Sequence, residues 1–151
     1  MRVVVQRVSK SSVIIESNIV SSISKGLLIL LGVENNDTLD DVNWLIRKII
    51  NLRIFTDIDG KMNNSIIDIK GDIIVVSQFT LHAKTKKGNR PSYINAAPPK
   101  IAIPLYENFV QVLKNESKLN VFTGEFGADM KVSLINDGPV TIIIDSKNRD
   151  F

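Results

Sequence analysis

Three polar stretches carry side chains able to do chemistry, two of them adjoining past mid-chain and one near the C-terminus. The first is Ser77-Gln78-Phe79-Thr80-Leu81, where an aliphatic run ends abruptly in polar residues. Hydroxyls and an amide at the mouth of a strand can position a substrate, and N–H groups there can form an oxyanion hole. A strand end merely capped by Ser and Thr is the plainer alternative. The second is Asn136-Asp137-Gly138-Pro139-Val140-Thr141. Asn, Asp, Gly and Pro in succession mark a tight turn. An X-Pro bond can also be cis, and a cis Gly138-Pro139 would aim two carbonyls in nearly one direction, a rigid acceptor pair for an ammonium group. The third runs from residue 82 to 104, with no Asp or Glu but with Lys84, Lys86, Lys87, Arg90 and Lys100. Such a cluster binds polyanions by releasing phosphate counterions; a solvated loop is the alternative.

Other chemistries are excluded by counting. There is no cysteine, and His82 is the only imidazole. A thiol nucleophile is therefore impossible, structural zinc is ruled out and catalytic zinc is disfavoured, while a carboxylate-bound magnesium ion is not decided by counts. The sequence has no Walker A loop, no Gly-x-Gly-x-x-Gly after a strand and no Gly-x-Ser-x-Gly elbow, so no cofactor is implied. Asp57 and Asp59 precede Gly60 in a turn that lacks the later ligands of a calcium loop. Thr80 could act as a nucleophile only beside a base, for which His82 is one candidate.

These residues need a scaffold. A chain of 151 residues, 44% apolar and 23% charged with a formal charge of +3, suits one globular domain over residues 1–151. Its N-terminus lacks a secretory pattern, and the longest apolar stretch, residues 26–33, is far too short for a membrane span. A cytoplasmic protein with no membrane partner is expected. Residues 3–8, 13–15 and 19–23 read as strands, and 26–33 and 72–77 as strands buried on both faces. Residues 35–37 offer a helix N-cap before Leu39, Val42, Leu45, Ile46, Ile49 and Ile50, one apolar helical face. A long loop follows residue 82. A second helix starting near Pro99 is expected to bury Ile101, Leu105, Phe109 and Leu113, before closing strands at 121–123, 130–134 and 140–145. The class is α/β, a single domain with much antiparallel sheet and two main helices.

Taken together, the Ser77-to-Leu81 and Asn136-to-Thr141 motifs resemble the two signatures of the D-aminoacyl-tRNA deacylase (D-tyrosyl-tRNA deacylase) family. The opening Met1-Arg-Val-Val-Val-Gln-Arg-Val8 and the run Lys86-Lys-Gly-Asn-Arg-Pro91 are similar to it too, so the likeness spans the chain. The resemblance implies mixed, largely antiparallel sheets in a barrel-like arrangement with two helices on one side. It implies hydrolysis of the ester of D-aminoacyl-tRNA (D-tyrosine, other D-amino acids, and mischarged glycine as a candidate) by a homodimer with active sites at the subunit interface. Ser77, Gln78, Phe79 and Thr80 would be the catalytic residues. Gly138 and Pro139, joined by a cis bond and locked by an Arg7 of the other subunit, would hold the substrate's amino group and reject L-isomers. Ala96 and Met130 would line the pocket, and Lys84, Lys86, Lys87 and Arg90 would meet the tRNA. In the family's picture the ribose 2′-hydroxyl assists and Thr80 is no covalent nucleophile. Two rival readings of the same residues are a non-catalytic tRNA-binding module and a generic esterase using Thr80.

Overall fold

Strand-forming runs dominate both ends of the chain, and the helical patterns fall between them. Residues 1–150 are described by a computed structural model. The order is β1 (Arg2–Ile15), β2 (Asn18–Ile23), β3 (Gly26–Gly32), α1 (Leu39–Asn51), β4 (Phe55–Thr56), β5 (Met62–Asn64), β6 (Asp72–Ser77), a 3-10 helix (Phe79–His82), α2 (Pro99–Ser117), β7 (Val121–Thr123) and β8 (Lys131–Asp145). The main sheet runs β2-β1-β3-β6-β7, with β8 pairing β1. β1 is antiparallel to β2, β3 and β8, whereas β3–β6 and β6–β7 are parallel. At the two ends of this path the Ser21 hydroxyl on β2 donates to the Thr123 carbonyl on β7. That contact curls the sheet nearly into a barrel. β4 and β5 form a separate hairpin.

Burial on both faces explains the continuous apolar runs of β3 and β6. Leu27, Ile29, Leu31, Ile73 and Val75 face the helices, in a core shared with Val42, Leu45, Ile46, Ile49, Phe109 and Leu113. Leu28, Ile74 and Val76 point the other way, into a smaller cluster with Val8, Val13 and Ile23. Each such side chain contributes roughly 1.5–3 kcal/mol on leaving water. The architecture is a single small domain, a mixed sheet almost closed on itself with two helices against it. No helix among the described residues is long and apolar enough to cross a membrane.

Four expectations need correction. The segments expected as separate strands are continuous: β1 runs through the polar Ser9-Lys10-Ser11-Ser12, and β8 joins both closing strands. Each supplies the other's ladder, with register shifts between Gln6 and Val8 and between Val8 and Lys10. The cap of α1 is Thr38, whose N–H donates to the Asp41 carboxylate at 2.8 Å. Asp37 is engaged instead by the Met1 ammonium and by the Glu34 N–H. Leu39 is exposed, although the rest of that helix face is buried as the spacing requires. Finally, α2 buries Ala102 and Tyr106 rather than Ile101 and Leu105. A tyrosine can go inside because its hydroxyl donates to the Val75 carbonyl at 2.8 Å.

Candidate active site

Where β6 runs out, the chain turns into the 3-10 helix that carries the first motif. Ser77 still pairs with Leu31, and the Gln78 N–H donates to the Leu31 carbonyl at 2.8 Å. The amides of Phe79 and Thr80 open the 3-10 helix, where a helix leaves its first N–H groups unused. Among the described residues nothing accepts from them. The Gln78 side-chain amide donates to Thr80 Oγ1 at 2.6 Å. Arg2 pins the turn from below, donating to the Leu81 carbonyl at 2.8 Å while pairing with Asp145 at 2.7 Å. Gly32 lets the helix approach β3, because a Cβ there would lie 3.0 Å from the Gln78 carbonyl and from His82 Cδ2. Ser77, Gln78 and Phe79 border a pocket of about 300 Å³, with Tyr106, Phe126 and Met130 among its other walls. Tyr106 and Phe126 meet edge to face, centroids 5.8 Å apart. Burial pushes the Tyr106 phenol well above its ordinary pKa, so it stays a neutral donor.

The second motif is built by a mismatch between β1 and β8. Gln6 pairs with Thr141 and Val8 with Asn136. Arg7 alone therefore faces four residues, 137–140, which leave the sheet as a bulged loop. Asn136 closes its base: Oδ1 accepts from the Val140 N–H at 2.8 Å, and Nδ2 donates to the Val140 carbonyl at 3.1 Å. Buried Arg7 holds the loop through Nε, which donates to the Asp137 carbonyl at 2.8 Å, while another N–H of its guanidinium donates to the Ile54 carbonyl. The Gly138-Pro139 bond is cis, and Gly138 has φ 139°, a value open to glycine. A Cβ on Gly138 would stand 2.7 Å from the Arg7 guanidinium. Gly138 and Pro139 are exposed.

The third stretch forms a short hairpin. Lys84 and Ser92 exchange backbone hydrogen bonds of 2.8 and 3.0 Å, and the tip between them presents exposed Lys86, Lys87 and Arg90. At its root Phe79 meets Tyr93 edge to face, centroids 5.0 Å apart.

A family model described as D-Tyr-tRNA(Tyr) deacylase matches residues 4–145. The chain belongs to the D-Tyr-tRNA(Tyr) deacylase family. Curated relatives of that family lie close by. A D-aminoacyl-tRNA deacylase of Flavobacterium psychrophilum is 67% identical over 99% of this chain and all of that protein, and one of Bacteroides fragilis is 60% identical with the same coverage. A solved structure described as c-Myc DNA Unwinding Element Binding Protein superposes with TM-score 0.91 and 40% identity, covering 96% of this chain and 98% of its own. Another, described as a probable eukaryotic D-amino acid tRNA deacylase, has TM-score 0.82 at 16% identity over 95% of this chain and 97% of its own, a likeness of fold alone.

In this deacylase-family chain the expected site residues fall into two groups. Ser77, Gln78, Phe79 and Met130 share the pocket with Val76 and Val132, and Thr80 follows them in the 3-10 helix. Gly138 and Pro139 lie in the bulge and Arg7 faces it from β1, and none of them lines that pocket. In the ladder Arg7 faces Leu27, four residues and about 13 Å before Leu31, the partner of Ser77. Two details bear on the expected places of Arg7 and Ala96. Arg7 grips the Asp137-Gly138 turn of its own chain, because the bulge rises directly over it. Ala96 sits in a bridge to Glu34, and its neighbour Ala97 forms the pocket wall. His82 is buried against Gly32, its Nε2 without a hydrogen-bond partner among the described residues, whereas the Thr80 hydroxyl is bonded to Gln78. Sequence reasoning missed Arg2, Tyr106 and Phe126. A polar hydroxyl within an otherwise apolar helix face was the one signal that could have found Tyr106.

Proposed function

We propose that this enzyme hydrolyses the ester of D-aminoacyl-tRNA, releasing tRNA and a free D-amino acid. The observation that carries the reading, in a chain of this family, is the pair of unused amides at Phe79 and Thr80 beside a pocket edged by Ser77 and Gln78. Two N–H groups that lack a protein acceptor are a ready oxyanion hole. In the reaction a water oxygen bonds to the acyl carbon and the bond from that carbon to the ribose 3′-oxygen breaks. One water proton goes to the leaving oxygen and the other is lost from the new carboxylic acid. Among the described residues the Thr80 hydroxyl takes its hydrogen bond from the Gln78 amide and from no basic side chain, which argues against attack by Thr80. The vicinal 2′-hydroxyl of the substrate assists instead, and Ser77 and Gln78 position the ester. Lys84, Lys86, Lys87 and Arg90 take the tRNA phosphates, and a tRNA substrate sets the reaction in the cytoplasm.

Handedness is read by main chain. The carbonyls of Gly138 and Pro139 hold the α-ammonium group, so that an L side chain collides with the backbone while a D side chain points away. Rejecting the L-isomer 10⁴-fold requires about 5.5 kcal/mol, more than the roughly 1–3 kcal/mol that a yielding pocket gains per methylene-sized difference. Glycine, which has no side chain to collide, passes the same test. Because the bulge and the Phe79-Thr80 turn do not share a pocket within one chain, the site is completed by the bulge of a second copy. A homodimer then has two interface sites.

The test is deacylation of matched D- and L-tyrosyl-tRNA. Rapid release of D-tyrosine with L-tyrosyl-tRNA intact is expected; equal release of both, or of neither, sinks the proposal. The basic hairpin, together with the structural neighbour named as a DNA-element binding protein, favours one second reading. A non-catalytic nucleic-acid binder would retain the tRNA and leave its ester whole.

A further inference from the structure

Behind the hydrolytic chemistry lies an unexplained surface. Phe79, Tyr93 and Ile94 are large and apolar, yet 54%, 38% and 74% exposed. They are not loose. Phe79 is fixed in the 3-10 helix, the Tyr93 carbonyl accepts from the Ala96 N–H at 2.9 Å, and the preceding residues are tied by the Lys84–Ser92 bridge. The two rings meet at an interplanar angle of 72°, leaving aromatic surface open to solvent. Phe79 also borders the 300 Å³ pocket, so this surface is continuous with the site of chemistry. On its other side rises the hairpin with Lys84, Lys86, Lys87 and Arg90, in a stretch without any acidic residue.

An exposed aromatic surface beside a row of cations is how proteins hold single-stranded nucleic acid: bases stack on rings and phosphates follow the charges. We propose that Tyr93, with Phe79 and Ile94, is a stacking platform for the base next to the terminal aminoacylated nucleotide in the single-stranded 3′ end of tRNA. The hairpin cations hold the phosphates that lead up to it. This rests on the deacylase reading for its substrate but assigns a separate subsite. It makes Tyr93 a residue that recognises the polynucleotide while the pocket receives the terminal nucleoside and its ester.

Two measurements test it. The first is binding of a short single-stranded RNA carrying 2-aminopurine at the penultimate position, whose fluorescence is quenched on stacking. Wild type and Tyr93→Phe should quench it, and Tyr93→Ala should not. The second compares hydrolysis of D-tyrosyl-tRNA with that of D-tyrosyl-adenosine, which lacks the penultimate base. Tyr93→Ala should raise KM for the tRNA about tenfold, the size of one base–aromatic stack, and leave the adenosine ester unchanged. Absence of quenching by wild type overturns the platform, as does an equal loss on both substrates, which would mean that Tyr93 only supports the fold. A change of oligomeric state in Tyr93→Ala with quenching intact also overturns it, since the surface would then be a protein contact. Quenching by a wild type that releases no D-tyrosine upholds the platform and removes the deacylase reading, so the two can fail separately.

Discussion

The side chains that matter most at the single-residue scale are those that hold main chain in place. Arg7 is buried, and its guanidinium spans the Asp137 and Ile54 carbonyls. A lysine keeps the charge but not the fork. Arg7→Lys should therefore lower kcat/KM for D-tyrosyl-tRNA about 100-fold, since even a 1 Å displacement of a positioning group costs that much. Gly138→Ala adds a Cβ at φ 139°, 2.7 Å from Arg7 and 2.8 Å from Val140 Cγ2. It should shift the loop and narrow the D-to-L ratio in the paired deacylation assay. Under the proposed substrate-assisted mechanism Thr80→Ala should keep kcat/KM within about tenfold, because the hydroxyl it removes is then neither base nor nucleophile. A trapped acyl-enzyme on Thr80 in wild type would falsify that. Both polar motifs were legible in the sequence because polar residues interrupt apolar runs there. Their partners were not: Arg2 reaches Leu81 across 79 residues of chain, and Ala97 differs from Ala96 only in which neighbour the fold turns inward.

Contacts remote in sequence also decide how the elements are joined. Lys147, just past β8, donates to the Asp41 carboxylate in the first turn of α1 at 2.7 Å. Burial alone would raise the Asp41 pKa, but hydrogen bonds from Lys147, Ser146 and Thr38 outweigh it and hold the carboxyl well below its usual range. A depressed carboxylate contributes stability above the unfolded pKa, about 3.9, and that contribution is lost as pH falls through the lower folded value. Lys147→Met should cost about 1 kcal/mol at pH 7, discounted for the solvent around Lys147. Chemical denaturation as a function of pH should then show a smaller drop below pH ~4 than wild type. The helix and strand positions were largely legible from periodicity. What hid the continuity of β1 and β8 was local polarity: Ser9 to Ser12 look like a turn, yet β8 supplies their ladder, and the Ser11 hydroxyl reaches the Ser133 carbonyl at 3.0 Å. The cap misassigned to residues 35–37 failed for the same reason, its carboxylate being drawn to Met1.

A test at the scale of the whole molecule follows from the distance between the two motifs. If each site joins the Phe79-Thr80 turn of one protomer to the Gly138-Pro139 loop of the other, two inactive variants complement each other. Mixing Arg7→Lys, whose loop is displaced, with a Gln78→Ala variant, after dissociation and reassembly, should restore roughly a quarter of wild-type activity, since half the dimers are mixed and each has one intact site. No recovery would place each site within a lone subunit. The loop that enters this test has a second effect. β8 pairs only with β1 among the described strands, and so presents a long sheet margin of the kind that recruits foreign strands into aggregates. Residues 137–140 break that margin midway, and Pro139 has no N–H to offer an incoming chain. By interrupting this margin the loop should also oppose strand-by-strand growth into fibres, so variants that straighten it should leave less protein in the soluble fraction than wild type does.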